Sequence, residues 1–170
     1  MSLTYKIITP IKNEDKYISS TIDSVLNQNV LPKEWIIIND NSTDRTEDLV
    51  QKYLDQNKFI KLISAPKINI KEISARIAYL FNYGCELSEI QTDLILKLDG
   101  DTVLPSNYSE YFISEFINSP KLGIASGCVD YKGIKERNHD NTLTRGAAKF
   151  YRINCLETIG QAYLSRGWDT

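Results

Sequence analysis

Leu94-Ile95-Leu96-Lys97-Leu98-Asp99-Gly100-Asp101 runs from a short apolar segment straight into two carboxylates separated by one glycine. An apolar run of that length suits a buried strand, and Asp99 and Asp101 would project together off its end. Gly100 lets the backbone turn sharply between them. Two oxygen donors so close can hold Mg2+ or Mn2+ while its remaining positions stay open to phosphate oxygens and water. The same tripeptide is also compatible with a solvated turn.

Two further acids fall after predicted strands or turns, Asp40 in Asn39-Asp40-Asn41-Ser42 and Asp169 in Gly167-Trp168-Asp169. Asp40 suits a ligand contact, or equally a turn and helix cap. Neither GxGxxG nor GxxxxGK[ST] occurs, so a phosphate ligand would depend on a metal and on side chains rather than on a glycine-rich cradle. The sole histidine, His139, stands in a polar stretch with no Cys or His nearby, and no serine occupies a nucleophile elbow. Lys132, Lys135, Arg137 and Arg145 in that stretch could meet an anionic acceptor or serve solubility alone.

The elements that must position these residues alternate. Tyr5–Thr9 reads as a first strand, stopped by Pro10, whose missing N–H cannot continue a ladder. Asn13 and Asp15 are placed to cap a helix carrying Ile18, Ile22, Val25 and Leu26 at helical spacing. Trp35–Ile38 is a second strand, too continuously apolar to face water on either side. Asp44 and Glu47 have cap-and-return spacing before Leu49, Val50 and Leu54. Phe59–Ile63 is a third strand, and residues 72–87 carry Ile73, Ile77, Leu80 and Phe81 on one helical face. The fourth strand enters the Asp-Gly-Asp turn. Pro105 opens a helix with Tyr108, Phe112 and Phe116, and Leu122–Val129 is a further strand. Residues 131–145 read as a polar loop of the kind that often covers a site. Residues 147–151 resume as strand or turn, and 154–159 as a short helix. Strands alternating with amphipathic helices predict an α/β fold, with a Rossmann-like, mostly parallel sheet and helices on both faces.

The totals fit that class. A chain of 170 residues is long enough for one domain with a core, and 42% hydrophobic with 25% charged residues is ordinary for a globular protein. A net charge of −2 offers no basic field for nucleic acid or anionic lipid. Cys85, Cys128 and Cys155 form no zinc pattern and suggest buried, reduced thiols in a reducing compartment. No run approaches membrane-spanning length. These features together point to a cytoplasmic domain, with peripheral placement at the inner face of a membrane left open.

Taken together, Thr9-Pro10-Ile11-Lys12-Asn13-Glu14, Ser24-Val25-Leu26-Asn27-Gln28 and Asn39-Asp40-Asn41-Ser42-Thr43-Asp44 resemble the opening of family 2 glycosyltransferases of the GT-A fold. Leu98-Asp99-Gly100-Asp101 falls where that family carries its DxD motif, and Ser74-Ala75-Arg76 resembles the Ala-Arg-Asn segment before it. Residues 152–160 and Gly167-Trp168-Asp169 resemble its acceptor-side segment, so the likeness covers nearly the whole chain. The resemblance implies a single GT-A domain over 1–170, nucleotide-binding over about 4–104 and acceptor-side over about 105–170, with the latter part truncated. It implies a nucleoside-diphosphate sugar donor of UDP or GDP type, Mn2+ or Mg2+, and an inverting transfer to an acceptor hydroxyl on a saccharide, lipid-linked or protein acceptor.

Residue by residue, it implies that Thr9, Pro10 and Glu14 form the first nucleotide-contacting loop. Asp40 would meet the base or ribose, and Arg76 would lie near the nucleotide. Asp99 would be the sugar- or ribose-side acid and share the metal with Asp101, its principal ligand. Asp169 aligns with the second acid of the family's Glu-Asp motif, its general base. Trp168 stands where Glu is common and could stack on an acceptor sugar or belong to a core. Two other readings stand beside this one. A sugar-phosphate nucleotidyltransferase would share the architecture, but its glycine-rich loop has no counterpart in Thr9–Glu14. A catalytically incomplete nucleotide-binding or scaffold domain of the same fold would bind without turnover.

Overall fold

Continuous apolar strands demand cover on both faces, and that demand organises the molecule. The computed structural model describes residues 2–128, 130–131, 134–135, 144 and 146–159. Its strands are β1 (Tyr5–Ile11), β2 (Glu34–Asn39), β3 (Ile60–Ser64), β4 (Leu94–Leu98), β5 (Ile124–Ser126), β6 (Asp130–Tyr131), β7 (Ile134–Lys135) and β8 (Ala148–Arg152). Six of them form one sheet in the order β3-β2-β1-β4-β8-β5, while β6 and β7 pair separately. The β1–β2, β2–β3 and β1–β4 pairings are parallel, and β8 runs antiparallel between β4 and β5. The sheet is therefore mixed, with β8 its one reversed strand.

Every residue of β2 and β4 is buried. Alternate residues of a strand face opposite sides, so each face has its own core. Ile7, Trp35, Ile37, Leu96 and Phe150 pack with α1 (Ile18–Leu26), α2 (Thr46–Leu54) and α4 (Tyr108–Asn118). Ile8, Ile36, Ile38, Ile95 and Tyr151 pack with α3 (Ile73–Leu87) and α5 (Ile153–Ile159). A Cβ on Gly84 of α3 would lie 2.5 Å from Ile8 Cγ2, so glycine is what lets this helix approach the sheet.

Several local expectations give way to tertiary ones. Pro10 does not end β1: the β1–β4 register stops at Ile8↔Lys97, while β1–β2 pairing continues to Ile11↔Asn39, so Pro10 sits where the ladder is one-sided. Asn13 and Asp15 do not cap α1, whose N-cap is Tyr17 without a side-chain bond. Asp44 and Glu47 form no capping box, since Arg45 is the N-cap of α2 and Glu47 accepts from Asn39 Nδ2 at 2.7 Å. Glu72 does cap α3, accepting from Ala75 N at 2.6 Å. Of the three cysteines, expected to be buried and all without disulfides, Cys128 is exposed and Cys85 and Cys155 are only partly buried. Residues 131 and 134–135, expected in a loop, join residue 130 in a two-stranded ribbon.

Candidate active site

Most of the candidate residues that the structure describes gather where the parallel strands end, the position at which open α/β sheets place ligands. Two loops form the floor, one after β1 and one after β2, and they are cross-linked by the polar residues that local rules would assign to helix caps. Asn13 N donates to Ser42 Oγ at 3.0 Å, Thr43 N to Asn13 Oδ1 at 2.8 Å, and Glu14 N to Thr46 Oγ1 at 2.7 Å. Asn13 and Asn41 adopt left-handed backbone, φ 56° and 53°, a conformation asparagine tolerates better than most residues.

Asp40 is almost fully buried at 3% exposure and receives Arg76 as a two-pronged fork. Arg76 Nε donates to Oδ2 at 2.5 Å and Nη2 donates to Oδ1. Lys12 Nζ lies 3.5 Å from the same carboxylate. Burial pushes the Asp40 carboxyl up, but the hydrogen bonds and charge of Arg76, with Lys12 and Asn41, outweigh it and hold the group below its ordinary value. Arg76 also donates from Nη1 to the Ile68 and Ile70 carbonyls at 3.4 Å each, tying the loop before α3 to the pair.

The Asp-Gly-Asp turn is held from two sides. Thr21 Oγ1 of α1 donates to the Gly100 carbonyl at 2.8 Å, and Asp99 N donates to the Ala147 carbonyl at 2.8 Å. Gly100 is required here by close approach: a Cβ would meet Ile11 Cγ2 at 2.8 Å and Glu14 Cγ at 3.2 Å. Asp101 is exposed. Burial first, and then the charges of Asp101, Asp99 and Asp44, push the Glu14 carboxyl up to about 7. Glu14, Asp99 and Asp101 thus make a local excess of negative charge built from hard oxygen donors, a set that fits a divalent cation. Among the described residues no three such side chains close a metal site by themselves.

One cavity of about 650 Å3 joins the two acidic centres, within the range typical of small-molecule sites. Pro10, Glu14, Asp40, Arg76, Asp99 and Asp101 all line it. Thr9 does not: it is fully buried, and its Oγ1 accepts from Trp35 Nε1 at 2.9 Å on the opposite side of the sheet. Trp168, Asp169 and His139 lie outside the described residues, as do the side chains of Lys132, Lys135, Arg137 and Arg145. The cavity also contains residues that sequence reasoning passed over. Lys12 and Lys71 bring positive charge, and Ile70, Ile73 and Ile77 form an apolar wall. Ile73 is 74% exposed, a high value for so large an apolar side chain. Lys97 lines it too, and a lysine inside an otherwise all-aliphatic strand was the available signal.

Known proteins resemble this chain in sequence and in fold. A sequence profile described as Glycosyl transferase family 2 matches residues 6–166. Poly-beta-1,6-N-acetyl-D-glucosamine synthase of Staphylococcus aureus (strain COL) is 33% identical over 115 residues, which cover 68% of this chain and 26% of that protein. The chain thus spans about a quarter of the length of the curated relatives it matches. Among solved structures, the mannosyltransferase PcManGT of Pyrobaculum calidifontis, in complex with GDP-Man and Mn2+, matches with a TM-score of 0.76 at 18% identity, covering 99% of this chain and 50% of that one. TarS 1-349 of S. aureus in complex with UDP matches with a TM-score of 0.73 at 20% identity, covering 98% and 53%. At such identities the structural likeness speaks for the fold, which is GT-A. With the family profile extending over residues 6–166, the chain belongs to glycosyl transferase family 2.

Proposed function

We propose that this chain is the donor-binding part of a metal-dependent, inverting glycosyltransferase that moves a sugar from a nucleoside-diphosphate sugar of UDP or GDP type to an acceptor hydroxyl. The observation that carries the reading is the single cavity uniting the Asp40–Arg76 pair with the carboxylates of Asp99, Asp101 and Glu14. Support comes also from the neighbours in the same fold, which hold GDP-Man with Mn2+ and UDP.

In this account Asp40, fixed by Arg76, accepts a hydrogen bond from the base or ribose, and Pro10 and Glu14 border the nucleotide. Asp101, with Asp99, would hold Mn2+ or Mg2+, and such an ion supplies Lewis-acid stabilisation of the charge that develops on the departing diphosphate. Lys12 and Lys71 add positive charge at the cavity, where phosphate oxygens would gain charge-assisted contacts. Asp99 orients the donor sugar or ribose. Asp169 takes the proton of the acceptor hydroxyl as that oxygen attacks the face opposite the leaving group, which inverts the anomeric centre. Trp168 offers an aromatic face to an acceptor sugar. Among the described residues no helix is long and apolar enough to cross a membrane, and the three cysteines without disulfides accord with a cytoplasmic setting.

A thermal-shift panel of UDP, GDP, CDP and TDP with and without Mn2+ tests the proposal, because a ligand that binds only the folded state raises Tm. One diphosphate should stabilise only with the metal, and Asp101→Ala should abolish the effect. No shift with any of the four contradicts the reading. Metal-dependent binding without donor hydrolysis or transfer would favour the scaffold alternative.

A further inference from the structure

Lys97 has no part in the chemistry described so far. It lies in β4 between Leu96 and Leu98 at 1% exposure, and lysine is among the residue types least often fully buried. Its Nζ donates to Asp99 Oδ1 at 2.6 Å and to the Gly146 carbonyl at 2.7 Å. The backbone of Asp99 reaches the next residue of the same segment, N to Ala147 O at 2.8 Å. Side chain and backbone together therefore bind the first acid of the turn to residues 146–147, where the chain enters β8.

Stability alone gives a poor account of this lysine. Directly opposite it in the antiparallel β4–β8 register stands Lys149, itself buried at 2% exposure. Like charges facing each other across neighbouring strands are unfavourable, and an aliphatic residue at 97 would suit the strand better. What the lysine supplies that an aliphatic residue cannot is a donor aimed at the Asp99 carboxylate. A short carboxylate arm can rotate; one oxygen held by a buried ammonium cannot do so without breaking a charge-assisted bond.

We infer that Lys97 is a positioning residue, holding the Asp99 carboxylate against residues 146–147 so that this acid meets the donor in one orientation. The inference rests on the donor site proposed above. The experiment is a double-mutant cycle on binding of UDP-GlcNAc and GDP-Man, each with Mn2+, to wild type, Lys97→Met, Asp99→Asn and the double variant, with Tm recorded for each. For whichever probe binds, the two single substitutions should each weaken binding by about tenfold, the scale of one hydrogen bond to a charged group. The double variant should be no weaker than either by more than about threefold, since both changes remove one interaction. Lys97→Arg, which returns a cation to Asp99, should recover most of the loss. A lysine with only a structural role would lower Tm and leave the Kd of folded Lys97→Met within about threefold of wild type, and a lysine acting on the donor independently of Asp99 would make the two binding losses multiply to about a hundredfold; either result overturns the inference. If Lys97→Met does not fold, Lys97→Gln enters the same cycle with the same criteria. Wild type binding neither probe overturns the donor-site reading and this inference with it, whereas wild-type binding with multiplying losses overturns the role of Lys97 alone.

Discussion

The parallel strands carry an ionic cluster at each end, on β1, β2 and β3 at the amino end and after β1, β2 and β4 at the carboxyl end, and the two are built differently. At the amino end Glu34, 1% exposed, pairs with Lys61 Nζ at 2.6 Å and accepts from Ser88 Oγ at 2.5 Å. Lys6 Nζ then donates to Ser88 Oγ at 2.8 Å and to the Ile90 carbonyl at 3.2 Å. At the carboxyl end Asp40 and Arg76 make an equally tight pair, but beside it Glu14, Asp99 and Asp101 crowd a 650 Å3 cavity. A closed network of opposite charges serves architecture. An open one, with a carboxyl pushed up to about 7 first by burial and then by its acidic neighbours, leaves charged groups facing a cavity, which makes it the candidate site. The lesson is that buried charge alone does not locate function; charged side chains that line a cavity do.

Substitutions can break this contrast. The largest expected effect is at the closed end: Glu34→Ala removes the negative charge beside the buried Lys6 and the partner of Ser88 and Lys61, and should cost about 3 kcal/mol in denaturant unfolding. Binding of Mn2+ and diphosphate per folded molecule should be unchanged. A smaller loss, about 2 kcal/mol at neutral pH, is expected for Arg76→Met, which strands the Asp40 carboxylate. Because the folded-state pKa of Asp40 is depressed, the pair's contribution is present above the ordinary carboxylate value and fades as pH falls through the lower folded one. Wild type and Arg76→Met should therefore converge in stability at acid pH.

Gly100→Ala should cost about 1–2 kcal/mol through overpacking against Ile11. It should also weaken metal-dependent binding, because the displaced turn carries Asp101. The smallest effect sharpens the contrast at Glu14, a carboxyl at the open end. Glu14 has a raised folded pKa, so the folded state binds the extra proton between about pH 4.5 and 7, and stability falls as pH rises through that window. Glu14→Gln should match wild type near pH 4 and exceed its Tm at pH 8, by about 2 °C given solvent screening of a partly exposed group.

Much of this was legible in the chain itself. The largely apolar stretches of β2 and β4 announced buried parallel strands, and the abrupt change from Leu98 to Asp99 marked the candidate site, because continuous burial and its termination are local signals. Asn13, Asp15, Asp44 and Glu47 were misleading for the opposite reason. A cap and a loop-to-loop bond use the same side-chain oxygens, and only the juxtaposition of the β1 and β2 ends decides that Asn13 serves Thr43 rather than α1. Thr9 lies in the strand that leads to the cavity but, with strand alternation, faces Trp35 instead of the cavity. The Asp40–Arg76 pair joins residues 36 apart in sequence, a distance over which no spacing rule operates. Lys97 stood in plain view inside the strand and was hidden only by its apolar neighbours.

The contrast between the two ends is tested most directly by calorimetric titration of UDP and GDP, each with Mn2+, into wild type, Asp101→Ala and Glu34→Gln. The account predicts that one diphosphate binds wild type and Glu34→Gln with the same Kd and gives no binding heat with Asp101→Ala. Binding to Asp101→Ala as tight as to wild type, or its loss in a folded Glu34→Gln, would contradict it.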